Sequence, residues 1–170
     1  MICPFCQSEN IEGVEVCANC GRDLGGLDLP GGGLDDSAPS FLQDPLAKLS
    51  GKPVGRMASP SDPVGFAVHL MQNEGVGCVL VVEKDRVVGI ITATDILHKV
   101  AGPKEDLNAV RCAEIMTPDP TLLDAEDSVA LAINKMAFGE FRHVPVLKDG
   151  RATQVLDVNA VFRHLSPHLV

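Results

Sequence analysis

An internal repeat constrains the fold of this 170-residue chain more than any other feature. A shift of 65 positions aligns residues 64–100 with residues 129–165 without a gap. Ala67 then matches Ala132 and Met71 matches Met136, and apolar positions coincide even where the residues differ. A unit that occurs twice predicts two similar structures, each of which covers the apolar surface of the other.

Each copy has the same order of predicted elements. Apolar residues spaced i, i+3, i+4, i+7 predict an amphipathic helix, with Asp62–Pro63 and Asp127–Ser128 as the N-cap and first helical position. Two β-rich runs around a short polar turn then predict a hairpin. A short strand precedes this helix, and a second helix follows the hairpin. The predicted ranges are 53–58, 64–71, 78–82, 86–91 and 94–100 in the first copy, and 120–123, 129–136, 143–147, 151–156 and 159–165 in the second.

The predicted unit is therefore β-α-β-β-α. One such unit is too small to bury its own sheet face, but two units packed sheet against sheet with pseudo-twofold symmetry bury both faces. We expect an α+β fold with repeat 1 over 46–104 and repeat 2 over 105–170, preceded by a small metal-bound ribbon.

Three segments carry a resemblance to a known family. The run VGIITATDIL at 88–97 resembles the closing signature of a CBS domain, IMTP at 115–118 resembles the start of one, and FRHVPV at 141–146 resembles its second strand. The resemblance covers residues 46–166, and two units in tandem resemble a Bateman module. It implies a cytosolic, non-catalytic regulatory fold that binds AMP, ADP, ATP, S-adenosylmethionine or cyclic dinucleotides between the copies. It also implies a homodimer that pairs through helices, for which we expect 64–71 and 129–136.

Candidate ligand-binding residues follow from this resemblance and from their chemistry. Asp95, in the first turn of a predicted helix, can accept hydrogen bonds from both ribose hydroxyls, and Thr92 offers a hydroxyl at the same rim. The family arrangement implies that Arg142 and His143 donate to phosphate, unless Arg142 is only a solvated surface charge. Thr-x-x-Asp is also a capping box that needs no ligand, and the two roles are compatible. The candidate apolar walls for a base are Val54, Met57, Val79 and Leu80.

The two copies differ at these candidate positions. The counterparts of Gly89, Thr92 and Asp95 are Gln154, Asp157 and Ala160. Repeat 2 therefore lacks the ribose carboxylate, and Asp157 would repel a nearby phosphate. We expect at most one intact adenosyl site, centred on Asp95.

Two CxxC pairs near the start predict a metal site. Cys3, Cys6, Cys17 and Cys20 supply a closed tetrahedral set of thiolates, so residues 1–22 are expected to fold as a ribbon around a structural ion. Zinc is favoured and iron is possible. Two disulfides or a redox-active CxxC are the alternatives.

Charge and composition narrow the partners of the N-terminal part. The chain carries a formal net charge of −9 and its first 22 residues contain a single Arg. Such a ribbon is a poor nucleic-acid binder, so we expect it to contact protein instead. The Gly-, Asp- and Pro-rich stretch 23–45 is predicted to be a flexible linker, although its leucines and Phe41–Leu42 offer an alternative in which they dock on a neighbouring surface.

Other functional classes receive little support from the sequence. Apolar runs are too short to span a membrane and no signal peptide is visible, so a cytoplasmic protein is expected. No motif resembles a nucleophile with its base, a P-loop or paired catalytic carboxylates, so we predict no enzyme. The leading function is a ligand-sensing module. The alternatives are a protein-interaction scaffold with degenerate clefts and, less favoured because of its charge, a nucleic-acid-binding regulator.

Overall fold

The computed structural model describes residues 8–11, 13–19, 21, 24, 39–100, 106–139 and 141–169. The helices are α1 (Val64–Glu74), α2 (Ala93–Lys99), α3 (Cys112–Ile115), α4 (Val129–Gly139) and α5 (Val158–Leu165). The strands are β1 (Lys52–Pro53), β2 (Cys78–Glu83), β3 (Arg86–Thr92), β4 (Thr117–Pro118), β5 (Leu123–Asp124), β6 (His143–Lys148) and β7 (Arg151–Asp157). Short 3₁₀ turns cover Ser40–Leu42, Leu46–Lys48 and Ser166–His168. Within these ranges no helix has the length and apolar character needed to cross a membrane.

The two repeats exchange their leading strands. One sheet has the order β1-β7-β6-β5 and the other has the order β2-β3-β4. Lys52 of repeat 1 pairs with Val155 of repeat 2, and Pro118 of repeat 2 pairs with Gly89 of repeat 1. Each sheet thus contains a strand from the other repeat, which confirms the predicted mixed α and β pair and makes the two units interdependent.

This exchange explains why the predicted strands 53–58 and 120–123 are wrong in their bounds. After β1 the chain leaves β7, and Ala58 forms a bridge with Val81 of the other sheet. The segment between β4 and β5 likewise leaves β3 and joins β6. A segment that crosses between two sheets cannot keep one continuous ladder of hydrogen bonds, so each appears as a short strand at its ends.

Turn geometry fixes the two hairpins. Lys84 and Asp85 between β2 and β3 have φ of 49° and 61°, and Asp149 and Gly150 between β6 and β7 have φ of 52° and 76°. Two successive residues with positive φ are typical of the type I′ turn, whose twist suits a tight antiparallel pair. The predicted hairpins are therefore present, and each of their strands is one residue longer than the sequence pattern indicated.

Helix capping differs from the prediction in repeat 1. Pro63 is the N-cap of α1 and has no side chain that caps, while Asp62 Oδ2 accepts from Ser59 N at 2.7 Å. In repeat 2 the hydroxyl of Ser128 accepts from Leu131 N at 3.2 Å. The capping position is thus one residue later than expected in both copies, because the preceding turns engage Asp62 and Asp127, whose Oδ2 atoms accept from Ser59 N and Asp124 N.

Three apolar clusters form the core. One contains Val64, Val81 and Ile91 of repeat 1 together with Val110, Cys112 and Ile115, which the sequence assigned to repeat 2. Another contains Val129 and Val146 of repeat 2. The third joins the two sheets and consists of Cys78, Leu80, Ile90 and Val155, with Val54, Val87 and Ala152 packed against it. This third cluster is the sheet-against-sheet contact predicted from the repeat.

Residues 39–50 form an arm that packs on repeat 2. Leu46 N donates to Asp127 O at 2.8 Å and Val129 N donates to Asp44 O at 3.0 Å. Leu46 is 0% exposed and Leu49 is 4% exposed, both within the repeat 2 core. The predicted linker therefore ends too late at residue 45, and residues 46–50, assigned by sequence to repeat 1, pack with repeat 2. Burial of the two leucines is the physical reason.

The first residues of this arm make aromatic and polar contacts with α5 and with the 3₁₀ turn that follows it. Phe41 stacks on His168 with ring centroids 4.5 Å apart, and His164 Nε2 lies 3.2 Å from Asp44 Oδ2. The alternative in which Phe41–Leu42 dock on a neighbour is thus favoured for these two residues. Most of the remaining predicted linker lies outside the described residues.

Candidate functional site: a cleft between the repeats

A cleft opens where the leading segment of repeat 1 passes the last strand of repeat 2. Its space between atoms is about 600 Å³, including the open mouth. The lining comes from both repeats and comprises residues 52–57, the loop 74–77, Cys78, Val79, Leu80, His143, Val155 and Asp157. Because β1 pairs with β7, the exchange of strands is what builds this cleft.

Strand alternation gives the cleft two chemically different ends. Residues two apart on a strand share a face, so Leu80 and Cys78 lie along one wall, and Val155 and Asp157 lie along the other. Leu80 and Val155 pack together with Val54 in the cluster between the sheets. The cleft is therefore apolar near Leu80 and Val155. It becomes polar about 7 Å further along the strands, at Cys78, His143 and Asp157.

The polar end is crowded and partly dehydrated. A Cβ added to Gly77 would lie 3.1 Å from His143 Nε2, so glycine is what lets the imidazole approach this backbone. Partial burial lowers the pKa of His143, and Arg142 adds to this, while Asp157 opposes it. Burial, with help from Asp157, raises the pKa of Cys78 to about 12. Near neutral pH this end therefore has an uncharged imidazole and an uncharged thiol beside one carboxylate.

Asp157 combines a structural role with its place in the cleft. It is the N-cap of α5, and its Oδ1 accepts from Ala160 N at 2.6 Å. Oδ2 accepts no hydrogen bond from the residues that the structure describes. The carboxylate is thus fixed by the helix start with one oxygen left for another donor.

The mouth of the cleft carries the remaining charges. Lys52 and Arg56 are exposed, as is Glu74, whose Oε1 accepts from Arg56 N at 3.2 Å. The Arg56 guanidinium carbon lies 5.5 Å from the centre of the Phe66 ring, a cation–π contact that directs it towards α1. Met57 is 42% exposed and forms an apolar part of the mouth.

The predicted ligand residues fall into two groups. Val54, Met57, Val79, Leu80 and His143 line this cleft. Thr92, Asp95 and Arg142 do not line it, and Arg142 is exposed. Thr92 ends β3, whose outer neighbour is β4 of repeat 2, so Thr92 and Asp95 belong to the pseudo-equivalent position on the other side of the molecule.

At that second position the capping box is complete. Thr92 Oγ1 accepts from Asp95 N at 3.2 Å, and Asp95 Oδ2 accepts from Thr92 N at 2.9 Å and from Thr92 Oγ1 at 2.6 Å. Asp95 Oδ1 is paired with Lys99 Nζ at 2.8 Å. Desolvation raises the pKa of Asp95, but the hydrogen bonds from Lys99 and Thr92 outweigh it and hold the pKa below 3.8. Both carboxylate oxygens are therefore occupied within the protein.

The sequence did not predict that Lys52, Val155 and Asp157 lie in the same cleft as Val54. The pairing of β1 with β7 brings them together, and no local pattern in the sequence indicates that pairing. The 65-residue offset did identify Asp157 as the counterpart of Thr92.

Of the four predicted metal ligands only Cys17 is described; Cys3, Cys6 and Cys20 lie outside the described residues. Within the described ranges no three His, Cys, Asp or Glu side chains group as metal ligands. Cys17 is 1% exposed, and its Sγ lies 3.3 Å from Ser8 Oγ and 3.5 Å from Asn10 Nδ2. Gly21, with φ of 68°, donates its N–H to Cys17 O at 2.9 Å.

Fold and cleft together define a paired-repeat module of mixed α and β structure. The CBS domain family matches residues 52–102 and 112–166, more than half of the chain, and the chain belongs to this family. Proteins of this family are generally regulatory modules rather than enzymes.

Curated relatives share the repeats and are mostly longer. The chain is 32% identical to CBS domain-containing protein CBSCBSPB3 of Arabidopsis thaliana over 103 residues, which are 60% of this chain and 18% of that protein. It is 31% identical to the mitochondrial CBS domain-containing protein CBSX3 of the same plant over 107 residues, 60% of this chain and 52% of that protein. The chain thus spans about half of CBSX3 and less than a fifth of CBSCBSPB3.

Solved structures share the fold. A protein with CBS domains from Burkholderia ambifaria superposes with a TM-score of 0.60 at 25% identity, over 76% of this chain and 88% of that one. CBSX2 in complex with AMP gives a TM-score of 0.60 at 19% identity, over 72% and 97%. A hexameric CBS-CP12 protein from bloom-forming cyanobacteria gives a TM-score of 0.63 at 24% identity, over 71% of this chain and 67% of that one.

Proposed function

We propose that this chain is a non-catalytic regulatory module that binds an adenosyl compound in the cleft between its repeats. The observation that carries the proposal is the two-ended cleft, in which Val54, Leu80 and Val155 offer an apolar surface for a base and His143 and Asp157 offer polar groups. Pockets of this kind, mostly apolar with a few placed polar groups, are typical of small-molecule sites. The complex of the structural neighbour CBSX2 with AMP supports the ligand class.

A ligand in this position can act as a regulator because both repeats contribute to the lining. Residues 52–57 come from the start of repeat 1, and Val155 and Asp157 come from the end of repeat 2. A ligand that contacts both sides favours the arrangement in which the two walls are closest. The same leading segment continues directly from the arm at 39–50, so a shift at the cleft is transmitted to the N-terminal part of the chain.

Titration calorimetry with adenosine, AMP, ADP, ATP, S-adenosylmethionine and a cyclic dinucleotide tests the proposal. We expect at least one compound to bind with one site per chain. Met57→Ala should weaken that binding several-fold because Met57 forms part of the mouth. Leu97→Ala is the matched control, since Leu97 is an exposed apolar side chain on α2 outside the cleft. Absence of binding by every compound at millimolar concentration would favour the scaffold alternative.

A second site for the same class of ligand, beside Thr92 and Asp95, is the weaker part of this proposal. A ribose there would have to replace the contacts that Asp95 makes with Lys99 and Thr92. The exchange is favourable only if two ribose hydroxyls compensate for the lost hydrogen bonds. The role of Asp95 as a ribose ligand, and of Arg142 as a phosphate ligand, stays a prediction.

For the N-terminal segment we propose a structural ion, zinc or iron, held by Cys3, Cys6, Cys17 and Cys20. The surroundings of Cys17 support a thiolate there, because a buried sulfur with a hydroxyl and an amide N–H nearby has partners that stabilise negative charge. A turn in which the glycine after the second Cys donates back to the first is compatible with CxxC convergence on one ion. The ribbon would then serve as a docking element for a protein partner.

A protein-interaction scaffold is the second candidate function. It is favoured by the loss of the ribose carboxylate at Ala160 and by the exposed apolar side chains Phe138 and Phe162 on α4 and α5. In the helices 64–71 and 129–136, which were predicted to pair in a homodimer, Val64, Ala67, Val129 and Ala132 are buried within the chain, while Phe66, Val68, Leu131 and Ile133 are only partly buried. Homodimer formation and a cytoplasmic location stay predictions; light scattering at high concentration tests the first.

A further inference from the structure

The polar end of the cleft has a fixed negative charge, and Arg142, the cation next to His143 in the chain, is exposed and does not line the cleft. Asp157 is held by its capping bond to Ala160 N, so its carboxylate cannot easily turn away. Its neighbours at this end are the His143 imidazole and the Cys78 thiol. Burial disfavours the protonated form of His143 and the ionised form of Cys78. Neither group therefore compensates the carboxylate near neutral pH.

The cations of the lining lie at the solvent-exposed mouth. Lys52 and Arg56 are both exposed, and the Arg56 guanidinium is directed towards the Phe66 ring. Glu74, whose Oε1 accepts a hydrogen bond from the Arg56 backbone N–H, adds a second negative charge at the mouth. Charges in contact with water are screened far more than a charge in a partly buried cleft. Asp157 therefore dominates the electrostatics of the polar end.

The shape of the cleft determines which part of a ligand meets this carboxylate. A base that packs on Val54, Leu80 and Val155 leaves the ribose and its 5′ substituent to extend along the strands. Asp157 lies two residues beyond Val155 on the same face of β7, about 7 Å further. With the ribose directed along the strands, the 5′ substituent, which is a phosphate in nucleotides, would lie beside Asp157.

We infer that this cleft selects an adenosyl compound whose 5′ substituent is uncharged or positively charged and rejects 5′-phosphates. The inference rests on the proposed function and narrows its ligand class to compounds such as adenosine or a 5′-sulfonium adenosyl compound. Asp157 is the residue that sets this preference, because its carboxylate repels a phosphate of the same charge in a half-buried site.

Calorimetry of the full chain with adenosine, S-adenosylmethionine, AMP and ADP tests the inference. The parent should bind adenosine or S-adenosylmethionine about tenfold or more tightly than AMP. Asp157→Asn should raise the AMP affinity about tenfold and leave the adenosine affinity within about twofold, because Asn removes the charge and still caps the helix. Asp157→Thr, which copies the residue of repeat 1, should act in the same direction.

Asp149→Asn is the matched control, since it removes the same charge in the exposed β6–β7 turn and should not change the ratio of affinities. Tighter binding of AMP than of adenosine by the parent, with an unchanged ratio in Asp157→Asn, would overturn the inference and leave the proposed function standing. Failure of every adenosyl compound to bind would remove the proposed function and the inference with it. Equal melting temperatures of the parent and Asp157→Asn would show that the variant is folded.

Discussion

Thr92 and Asp157 hold the same place in the two repeats and differ in charge. Each ends the last strand of its repeat, with φ and ψ of −109° and 164° for Thr92 and −107° and 168° for Asp157. Each caps the next helix through an oxygen that accepts the N–H three residues on, at 3.2 Å and 2.6 Å. The shared backbone role explains why both residues are compatible with the fold, and the difference in charge makes the two positions chemically unequal.

Removal of the Asp95 carboxylate should destabilise the chain. Asp95→Ala loses the reciprocal cap with Thr92 and the ion pair with Lys99, and we expect the free energy of unfolding to fall by about 1–2 kcal/mol. Asp95→Asn, which can still accept from Thr92 N, should lose less. Urea unfolding at neutral pH measures both variants. Equal stability of Asp95→Ala and the parent would show that the capping box contributes nothing.

The arm should contribute to the stability of repeat 2. Leu46→Ala removes a fully buried side chain from its core, which typically lowers the free energy of unfolding by about 2–5 kcal/mol. Leu97→Ala, at an exposed position on α2, should change it by less than about 0.5 kcal/mol. Thermal unfolding followed by circular dichroism compares the two. Similar melting temperatures would contradict the packing of the arm.

Stability should depend on pH through His143. Burial lowers the pKa of His143 below its ordinary value of 6.5, so the unfolded chain binds this proton more readily than the folded one. The stabilisation from the neutral imidazole is complete above pH 6.5 and is lost as the pH falls below that value. Denaturant unfolding between pH 7.5 and 5.5 should therefore show a smaller decrease in His143→Gln than in the parent. His98→Gln, at an exposed position on α2, should behave like the parent.

Metal content tests the N-terminal site. Protein purified under reducing conditions should carry about one zinc or iron ion per chain by elemental analysis, and Cys17→Ser should lose it. Cys78→Ser, which changes a cysteine in the cleft, should keep the ion. A chelator should leave the melting of the repeats unchanged, because the three core clusters contain no described residue before Leu42. Two disulfides in the purified chain would contradict the site.

Local sequence patterns predicted most of the repeats. The spacing of Ala67 and Met71 predicted α1, and the polar residues 83–85 between β-rich runs predicted a hairpin whose turn the structure contains. The exchange of β1 and β4 was not predictable in this way, because it is set by contacts between segments far apart in the chain. Leu46 was misassigned for the same reason, since its partners lie in repeat 2.

The candidate site was only partly predictable. The sequence predicted that one ligand would contact Val54, Met57, Leu80, His143 and Asp95. The first four residues do line one cleft, but Asp95 lies at the pseudo-equivalent position of the molecule. The family resemblance implied the apolar wall, and the repeat alignment identified Asp157 as the counterpart of Thr92. The strand exchange determines which of the two capping residues, Thr92 or Asp157, lies beside the apolar wall. That exchange is seen only in the three-dimensional structure.

The strand exchange also sets an order of events during synthesis. The sheet of β2, β3 and β4 can pair soon after its residues emerge, but Gly51 N meets Gln154 Oε1 across 103 residues of chain. At typical ribosomal rates the arm and β1 wait on the order of 5–20 s for their partners. A nascent chain that stalls before β7 contains the α4 residues on which the arm packs, but it lacks the strand that pairs with β1 and therefore lacks one wall of the cleft. The cleft is therefore complete only after β7 has been synthesised.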